Sequence, residues 1–471
     1  MKTKYINQLL KKIVLRVLGF TINGKGILIL SKRTFCLKRV CLVDKKNTIF
    51  FIKTAHSHTI DLNTIKNLEN YSLFLYFQFI GLLFKFKLPI NITNHLSQSS
   101  LYLTQMKQPL ENGLVIFESF FGKNYSGQPK YIYEYLLSLN LPYQYVWTYQ
   151  GDSHNIPGNP KIVKRGTPEY FKVLATAEYW VNNIVFPVNE KRAETTYLQT
   201  WHGTPLKKLG YDIEVEGPEV EAREKFYSQS RTWDYLITQN SHTSKILKRA
   251  FKYDNKIIES GYPHNDILIA NDPEKTKQIK TNLGIQQNKK VILYAPTWRD
   301  NDANGNWSFN FTLNIDLQKW QAQLGDEYVI LIRMHHLITN IKGLDEAKGF
   351  AYNVSAYDDI QELSLISDIL ITDYSSVFFD YAVSKKPILF YAYDFKEYAE
   401  KLRGFYLDMH TEMPGPVIEK DEDLLNAIVN IKEIEQLYTD KYNLFINKFC
   451  YLDKGSCSEQ VAKIVFKDIH A

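Results

Sequence analysis

Residues 367–394 read SDILITDYSSVFFDYAVSKKPILFYAYD. Ile369, Leu370 and Ile371 form an uncharged, β-favouring run that predicts a short buried strand. Thr372-Asp373-Tyr374-Ser375-Ser376 follow as a polar elbow. VFFDYAVSKK then reads as a helix, and Pro387 opens a second apolar run, PILFYAY (387–393). A buried strand, an elbow, a helix and another buried strand make a crossover unit, which lays two strands parallel with a helix over the sheet.

Working outward, the same rhythm fills the C-terminal half: VILYAPTW (291–298) and YVILIRMH (328–335) precede DILITDY (368–374). An earlier series has the same character. GLVIFESF (113–120) is a strand, KYIYEYLLSL (130–139) a helix behind Pro129, and YQYVWTY (143–149) and KIVKRG (161–166) are strands. A helix is expected at 168–177 and a strand at YWVNNIV (179–185). Such alternation predicts parallel sheets covered by helices. Two series predict two Rossmann-like α/β domains facing each other across a cleft, over 113–280 and 285–465. Ligands of open α/β sheets sit beyond the carboxyl ends of the strands, so the polar residues just after these runs are the candidates for chemistry.

The length of 471 residues, about three times a typical domain of roughly 150, leaves room for more than these two. With 45% hydrophobic and 23% charged residues the chain is globular, not disordered or collagen-like. Its longest uncharged apolar stretch, Leu73 to Phe84, falls short of the roughly 20 residues that span a bilayer. Lys11, Lys12 and Arg16 interrupt the stretch before Phe20, so no secretory signal is read there. The four cysteines, Cys36, Cys41, Cys450 and Cys457, show neither metal spacing nor a disulfide framework. The expected setting is cytoplasmic.

Residues 1–53 hold 13 Lys/Arg against one acid, Asp44, whereas the remainder holds 44 basic and 50 acidic residues. A basic end on a mildly acidic body points to an anionic surface as partner. Within 1–22, Ile6, Leu9, Leu10, Ile13, Val17 and Phe20 recur at helical spacing with the cations on the other side. A membrane-interface helix and a helix packed on its own domain both fit that pattern. From 23 to 105 short β-rich runs, ILIL, FCLKRVCLV, TIFFIKT and YSLFLYFQF, predict a small accessory region.

Four segments carry the candidate chemistry. In YLQTWHGTPLKKLGYD (197–212), a strand ends near Leu198 and His202 heads a tight turn, with Pro205 placed to open a helix and Lys207 and Lys208 next to it. An imidazole there can take a proton from a hydroxyl near neutral pH. In ILYAPTWRD (292–300), Arg299 offers a guanidinium fork to phosphate, an ion pair with Asp300 being the competing reading. In LIRMHHLI (331–338), Arg333 and His335 fall on one side of an extended chain, while His336 faces away as a structural residue. In the 367–394 elbow, Thr372, Asp373, Ser375 and Ser376 offer hydroxyls and backbone N–H groups to an anion. No Walker sequence, GxGxxG, HxxxH or CxxC occurs, so a metal-free phosphate site is expected.

WHGTPLKKLG, GYPHNDIL (261–268), LYAPTWRD, RMHH and ITDYSSVFFDYA together resemble the CDP-glycerol glycerophosphotransferase family of teichoic-acid and capsule primases and polymerases. ESFFGKNYSGQPKYIYEYL (118–136) and RGFYLDM…PGP (403–416) extend the likeness to about 113–465. The resemblance implies a GT-B-like fold with the nucleotide in the C-terminal domain. It implies transfer of a polyol phosphate from CDP-glycerol or CDP-ribitol to a lipid-linked or growing polyol-phosphate acceptor at the cytoplasmic membrane surface, releasing CMP without a cofactor. Carried over by motif, His202 becomes the general base and His335, with Arg333, a stabiliser of the donor pyrophosphate. Arg299 assists the leaving group, and Thr372, Ser375 and Ser376 hold phosphates on an elbow shaped by Asp373. Tyr357, Asp358 and Asp359 would lie by the ribose and base, and Lys207 and Lys208 on the acceptor side.

The rival enzyme reading is a GT-B glycosyltransferase using a nucleotide sugar; the paired histidines with TDYSS favour the polyol-phosphate class. A binding protein that has lost its chemistry would not need both His202 and His335. Nucleic acid is not an expected partner, because the basic residues cluster without a reading motif.

Overall fold

The computed structural model describes residues 20–22, 27–30, 36–44, 49–51, 59–61, 71–79, 82–87, 101–151, 156–214, 218–297, 309–334, 338–342, 344–395 and 404–470. Contacts group residues 1–112 and 166–177 in one unit and residues 113–165 and 178–471 in another.

In the first unit, β1 (Phe20–Ile22), β2 (Ile27–Leu30) and β5 (Thr59–Asp61) form one antiparallel sheet. A second is made of β3 (Cys36–Asp44), β4 (Ile49–Phe51), β6 (Tyr71–Phe79) and β7 (Leu82–Lys87). The amphipathic helix expected at the N-terminus lies almost wholly outside the described residues, and its last position, Phe20, begins β1. The helix expected at 168–177 forms over Pro168–Thr176, capped by the Thr167 side chain on Tyr170 N–H and opened by a proline.

The second unit holds two parallel sheets. The first runs β10 (Lys161–Val163), β9 (Gln144–Thr148), β8 (Glu111–Glu118), β11 (Ala177–Asn182), β12 (Thr196–Gln199), β13 (Tyr235–Thr238) and β14 (Lys256–Glu259) across the sheet. The second runs β19 (Ala351–Asn353), β17 (Tyr328–Ile332), β15 (Lys290–Tyr294), β20 (Ile369–Thr372), β21 (Ile388–Tyr391) and β22 (Val417–Ile418). A separate parallel pair joins β16 (Phe309–Thr312) and β18 (Ile338–Lys342). In both large sheets the chain builds outward from a central strand, returns past it and continues the other way. That reversal puts a crevice beside the central strand, between β8 and β11 in one lobe and between β15 and β20 in the other.

The strands are apolar on both faces because both faces are covered. In β15, Val291 and Leu293 join one core while Ile292 and Tyr294 join the opposite one. β21 divides likewise, with Ile388 and Phe390 on one side and Leu389 and Tyr391 on the other. Each such side chain, removed from water, contributes roughly 1.5–3 kcal/mol. The helix Gly127–Ser138 covers the first sheet through Ile132, Tyr133 and Leu136.

The chain passes twice between the lobes, at 260–266 and again near 450–458. Phe445 and Phe449 belong to the second lobe's core, while Val461, Ala462 and Phe466 belong to the first's. The two passages are bonded to each other. Asp453 Oδ1 accepts from Tyr262 N–H at 2.9 Å, and Asp266 accepts from Cys457 N–H at 2.9 Å and Ser458 N–H at 2.8 Å. Gly261 sits at this junction with φ +77°; a Cβ there would fall 2.9 Å from the Leu452 carbonyl, so only glycine fits.

Candidate functional site

The strand ends of the first lobe meet at its crevice. After β12 the backbone turns through Trp201, whose φ of +54° is unusual for so bulky a residue, with its N–H held by Gln199 Oε1 at 2.8 Å. This strained step presents His202, which is exposed. Its Nδ1 lies 2.8 Å from the Asn183 carbonyl at the end of β11, and the Trp201 ring lies 4.2 Å away, tilted by 30°. A carbonyl oxygen only accepts, so Nδ1 carries the proton, and in the neutral ring the lone pair is on Nε2. Desolvation by the surrounding protein pulls the His202 pKa below its ordinary value, against the opposing pull of the Asn183 carbonyl. His202 is thus held neutral, in the tautomer that accepts a proton at Nε2.

Asn183 is fixed in turn. Its Oδ1 accepts from Phe120 N–H at 2.9 Å, and its Nδ2 donates to Ser119 Oγ at 3.0 Å, which itself donates to the Ser126 carbonyl. Phe120 and Phe121 have φ of +45° and +62°, so the ESFFGKNYSG loop is a tight, strained support for the histidine. Below it, Glu118 is fully buried and bonded to Arg165 and to Asn182 Nδ2.

Lys207 and Lys208 follow in a segment that pairs with the other lobe: Lys207 bridges antiparallel to Phe405, and Lys208 N–H donates to the Gly404 carbonyl at 2.9 Å. The Lys208 ammonium reaches Glu214 at 3.2 Å on the surface. The expected helix after Pro205 does not form. A short 3₁₀ turn, Gly210–Asp212, follows instead, because the backbone of this segment is bonded to the extended segment 404–406.

In the second lobe, Asp373 Oδ1 accepts from Thr297 N–H at 2.8 Å and from Tyr374 N–H, tying the ends of β15 and β20 together. Thr372 is buried and its hydroxyl donates to the Ala295 carbonyl at 2.8 Å, so this proton braces the crevice. Ser375 Oγ caps Val377 N–H at 3.4 Å, and Ser376 is partly open. The helix behind them is shorter than VFFDYAVSKK predicts: Val377–Tyr381, then a 3₁₀ turn to Ser384, ended by Lys385 at φ +58°. Arg299 and His335 lie outside the described residues, as does the Asp300–Asp302 loop.

Arg333 is bonded within its own lobe. Its Nη1 donates to the carbonyls of Tyr357 and Val354 and its Nη2 to that of Asp358 at 3.3 Å, so the guanidinium holds the 354–358 loop. That loop delivers two carboxylates to the first lobe. Asp358 accepts from Tyr125 N–H at 3.1 Å, Asn124 Nδ2 at 3.4 Å and Tyr149 Oη at 2.6 Å. Asp359, 2% exposed, accepts from Lys130 Nζ at 2.7 Å, Tyr131 Oη at 2.8 Å and Gln361 N–H at 3.0 Å. Asp359 therefore serves as an anchor between lobes. Lys130 also reaches Glu362 at 2.7 Å. Sequence reading passed over Lys130, Tyr131 and Asn183; Lys130, the only cation in the helix Gly127–Ser138, was the one available signal.

No group of three or more His, Cys, Asp or Glu arranged to hold a metal ion occurs among the described residues. Nor is any helix among them long and apolar enough to cross a membrane.

With this geometry in place, the comparisons with known proteins converge. The family of CDP-glycerol:poly(glycerophosphate) glycerophosphotransferases matches residues 100–467. The chain belongs to this family. It is 42% identical over 382 residues to a teichoic acid poly(glycerol phosphate) polymerase of Staphylococcus epidermidis, covering 79% of this chain and 53% of that one. It is 41% identical to a teichoic acid glycerol-phosphate transferase of Staphylococcus aureus, covering 80% of this chain and 99% of that one. The chain thus spans about half the length of the polymerase and nearly all of the transferase. A teichoic acid poly(ribitol-phosphate) polymerase of Bacillus spizizenii is more distant, at 27%. A solved structure of the wall teichoic acid polymerase TagF superimposes with a TM-score of 0.75 at 40% identity, covering 80% of this chain and 94% of that one. The fold is accordingly GT-B-like, as its sequence motifs implied.

Proposed function

We propose that this chain transfers glycerol phosphate from CDP-glycerol to a hydroxyl of a lipid-linked or growing polyol-phosphate acceptor, with CMP as the leaving product. The observation that carries the reading is His202: a neutral imidazole, its Nδ1–H spent on Asn183, its Nε2 without a protein partner among the described residues, at the crevice of a family member's first lobe. The acceptor hydroxyl attacks the phosphorus that bears the glycerol. Nε2 of His202 takes the hydroxyl proton as the new P–O bond forms, and the bond to the CMP oxygen breaks. Phosphoryl transfer of this kind needs in-line placement and neutralisation of charge more than covalent help.

In this reading Ser375 and Ser376 face the donor phosphates, Arg299 and His335 are assigned to the same phosphates by their motifs, and Asp373 and Thr372 hold the crevice open at its two strand ends. Arg333 acts through the 354–358 loop, and Lys207 and Lys208 lie toward the polyanionic acceptor. Glycerol is favoured over ribitol as the donor's polyol by the higher identity to glycerol-phosphate enzymes. A peripheral position on the inner membrane face is supported by the 13 cations of residues 1–53.

CMP release from CDP-glycerol and from CDP-ribitol, each with a short lipid-linked polyol-phosphate acceptor and EDTA, tests the reading. The expected result is release from CDP-glycerol, loss of at least 100-fold in His202→Ala, and unchanged donor affinity in that variant. Turnover of UDP- or GDP-sugars in place of either CDP-polyol would refute it.

A further inference from the structure

From the His202 turn runs a chain of bonded, buried polar side chains that the transfer chemistry does not use. Thr204, two residues after His202, donates to Gln239 Oε1 at 2.6 Å; Gln239 Nε2 donates to Asp453 Oδ2 at 2.9 Å; Asn265 Nδ2 donates to Asp453 Oδ1 at 3.0 Å and to Asp380 Oδ1 at 3.3 Å. His264 Nε2 stands 3.1 Å from Asp380 Oδ1, with both side chains under a tenth exposed. The far end of this chain of bonds packs near its start: a Cβ added at Gly203 would lie 3.9 Å from Asp380 Oδ2 and 3.5 Å from Ser376 Oγ. Its members come from the HGTP turn, the end of β13, both passages between the lobes and the helix Val377–Tyr381.

We propose that Asp380, braced by His264 and Asn265, is a positioning residue for the transfer: it sets the distance between the His202 turn of one lobe and the Ser375–Ser376 elbow of the other. Asp380 stands one helical turn after Ser376, so a carboxylate next to Gly203 of the base-bearing turn sits on the helix that carries the elbow. Burying a carboxylate here is costly unless it is paired, and His264 supplies the pair. The pairing is strong enough to raise the His264 pKa above its ordinary value although burial works the other way.

The proposal rests on His202 as the base, and its test separates the two. In the full chain, Asp380→Asn keeps the shape and the acceptor oxygen, whereas Asp380→Ala removes them. With CDP-glycerol and acceptor, the Ala variant is expected to lose about 10- to 100-fold in kcat, the scale of a misplaced catalytic group. The donor KM stays within about twofold, and the Asn variant retains most of the rate. An unchanged kcat in the Ala variant, or a parallel rise in KM, overturns the positioning role. Should the Ala variant fail to fold, His264→Gln replaces it; it is expected to lower kcat with unchanged KM, and wild-type kcat there overturns the proposal equally. A second arm needs no substrate: the rate of diethyl pyrocarbonate modification at His202, mapped by peptide mass spectrometry. Modification at His202 should change severalfold in Asp380→Ala and not in Asp380→Asn; equal rates in all three proteins overturn the inference even where wild type releases no CMP, a result that by itself refutes only the transferase reading.

Discussion

Lys130→Met is the most direct test of how the lobes are held. Lys130 is 4% exposed and lies 2.7 Å from both Asp359 and Glu362. Methionine fills most of the volume but leaves Asp359 without a cation and Glu362 with Lys275 alone, 3.3 Å away; Tyr131 still donates to Asp359 and Tyr357 to Glu362. Breaking a buried ion pair by removing one partner costs about 3–5 kcal/mol. For a domain this large that corresponds to roughly 6–10 °C in Tm, at about 2 °C per kcal/mol. The pH dependence adds a signature. Burial would raise the Glu362 pKa, but Lys130 first, with the Tyr357 hydroxyl and Lys275, holds it down at about 2, below the roughly 4.3 of an unfolded glutamate. The stabilisation is therefore present above the unfolded pKa and lost as the pH falls toward the folded one. Scanning calorimetry should show the wild-type advantage narrowing as the pH is lowered from about 5 toward 3. A loss below about 2 °C, or a gap that does not change with pH, would refute this account of the clamp.

Two further perturbations follow from the same junction. Gly203 has φ +138°, which side-chain-bearing residues rarely adopt, while its Cβ position meets Ser376 Oγ only at ordinary contact distance. Gly203→Ala should therefore cost about 1–3 kcal/mol through the backbone, and adding Ser376→Ala should not restore it; restoration, read by urea denaturation, would show that contact was the cause. Burial pushes the Asp453 carboxyl up to about 6, against its bonds from Tyr262, Asn265 and Gln239. The folded state binds this proton more tightly than the unfolded chain, so the stability contributed by Asp453 falls as the pH rises from about 4 to about 6, by roughly 3 kcal/mol. Asp453→Asn should flatten that part of the stability–pH curve, and parallel curves for the two proteins would count against it.

Much of the site was legible because a motif at a strand end carries its own address. WHGTP follows a short apolar run, so His202 at the mouth of a crevice could be read from the sequence, and the structure adds the Asn183 carbonyl that fixes its proton. Arg333 and Asp359 show the limit. Arg333 was read as a charge at a strand end and Asp359 as a neighbour of the ribose and base by resemblance, but nothing local says that one is spent on three carbonyls and the other on Lys130, more than two hundred residues away.

The alternation of apolar runs with helical segments determined the fold class, since a strand buried on both faces must be apolar throughout and a parallel neighbour demands a crossover. Short edge strands such as β14 (KIIE) and β22 (VI) carry too few residues to show that pattern and emerged only in the folded sheets. What the tertiary structure alone decided is which polar groups meet. Thr204, Gln239, Asn265, Asp380 and Asp453 become one network because the chain crosses between lobes twice at the same place. In a buried setting each donor and acceptor must find a partner, and that partner is set by the crossing and not by the neighbouring sequence.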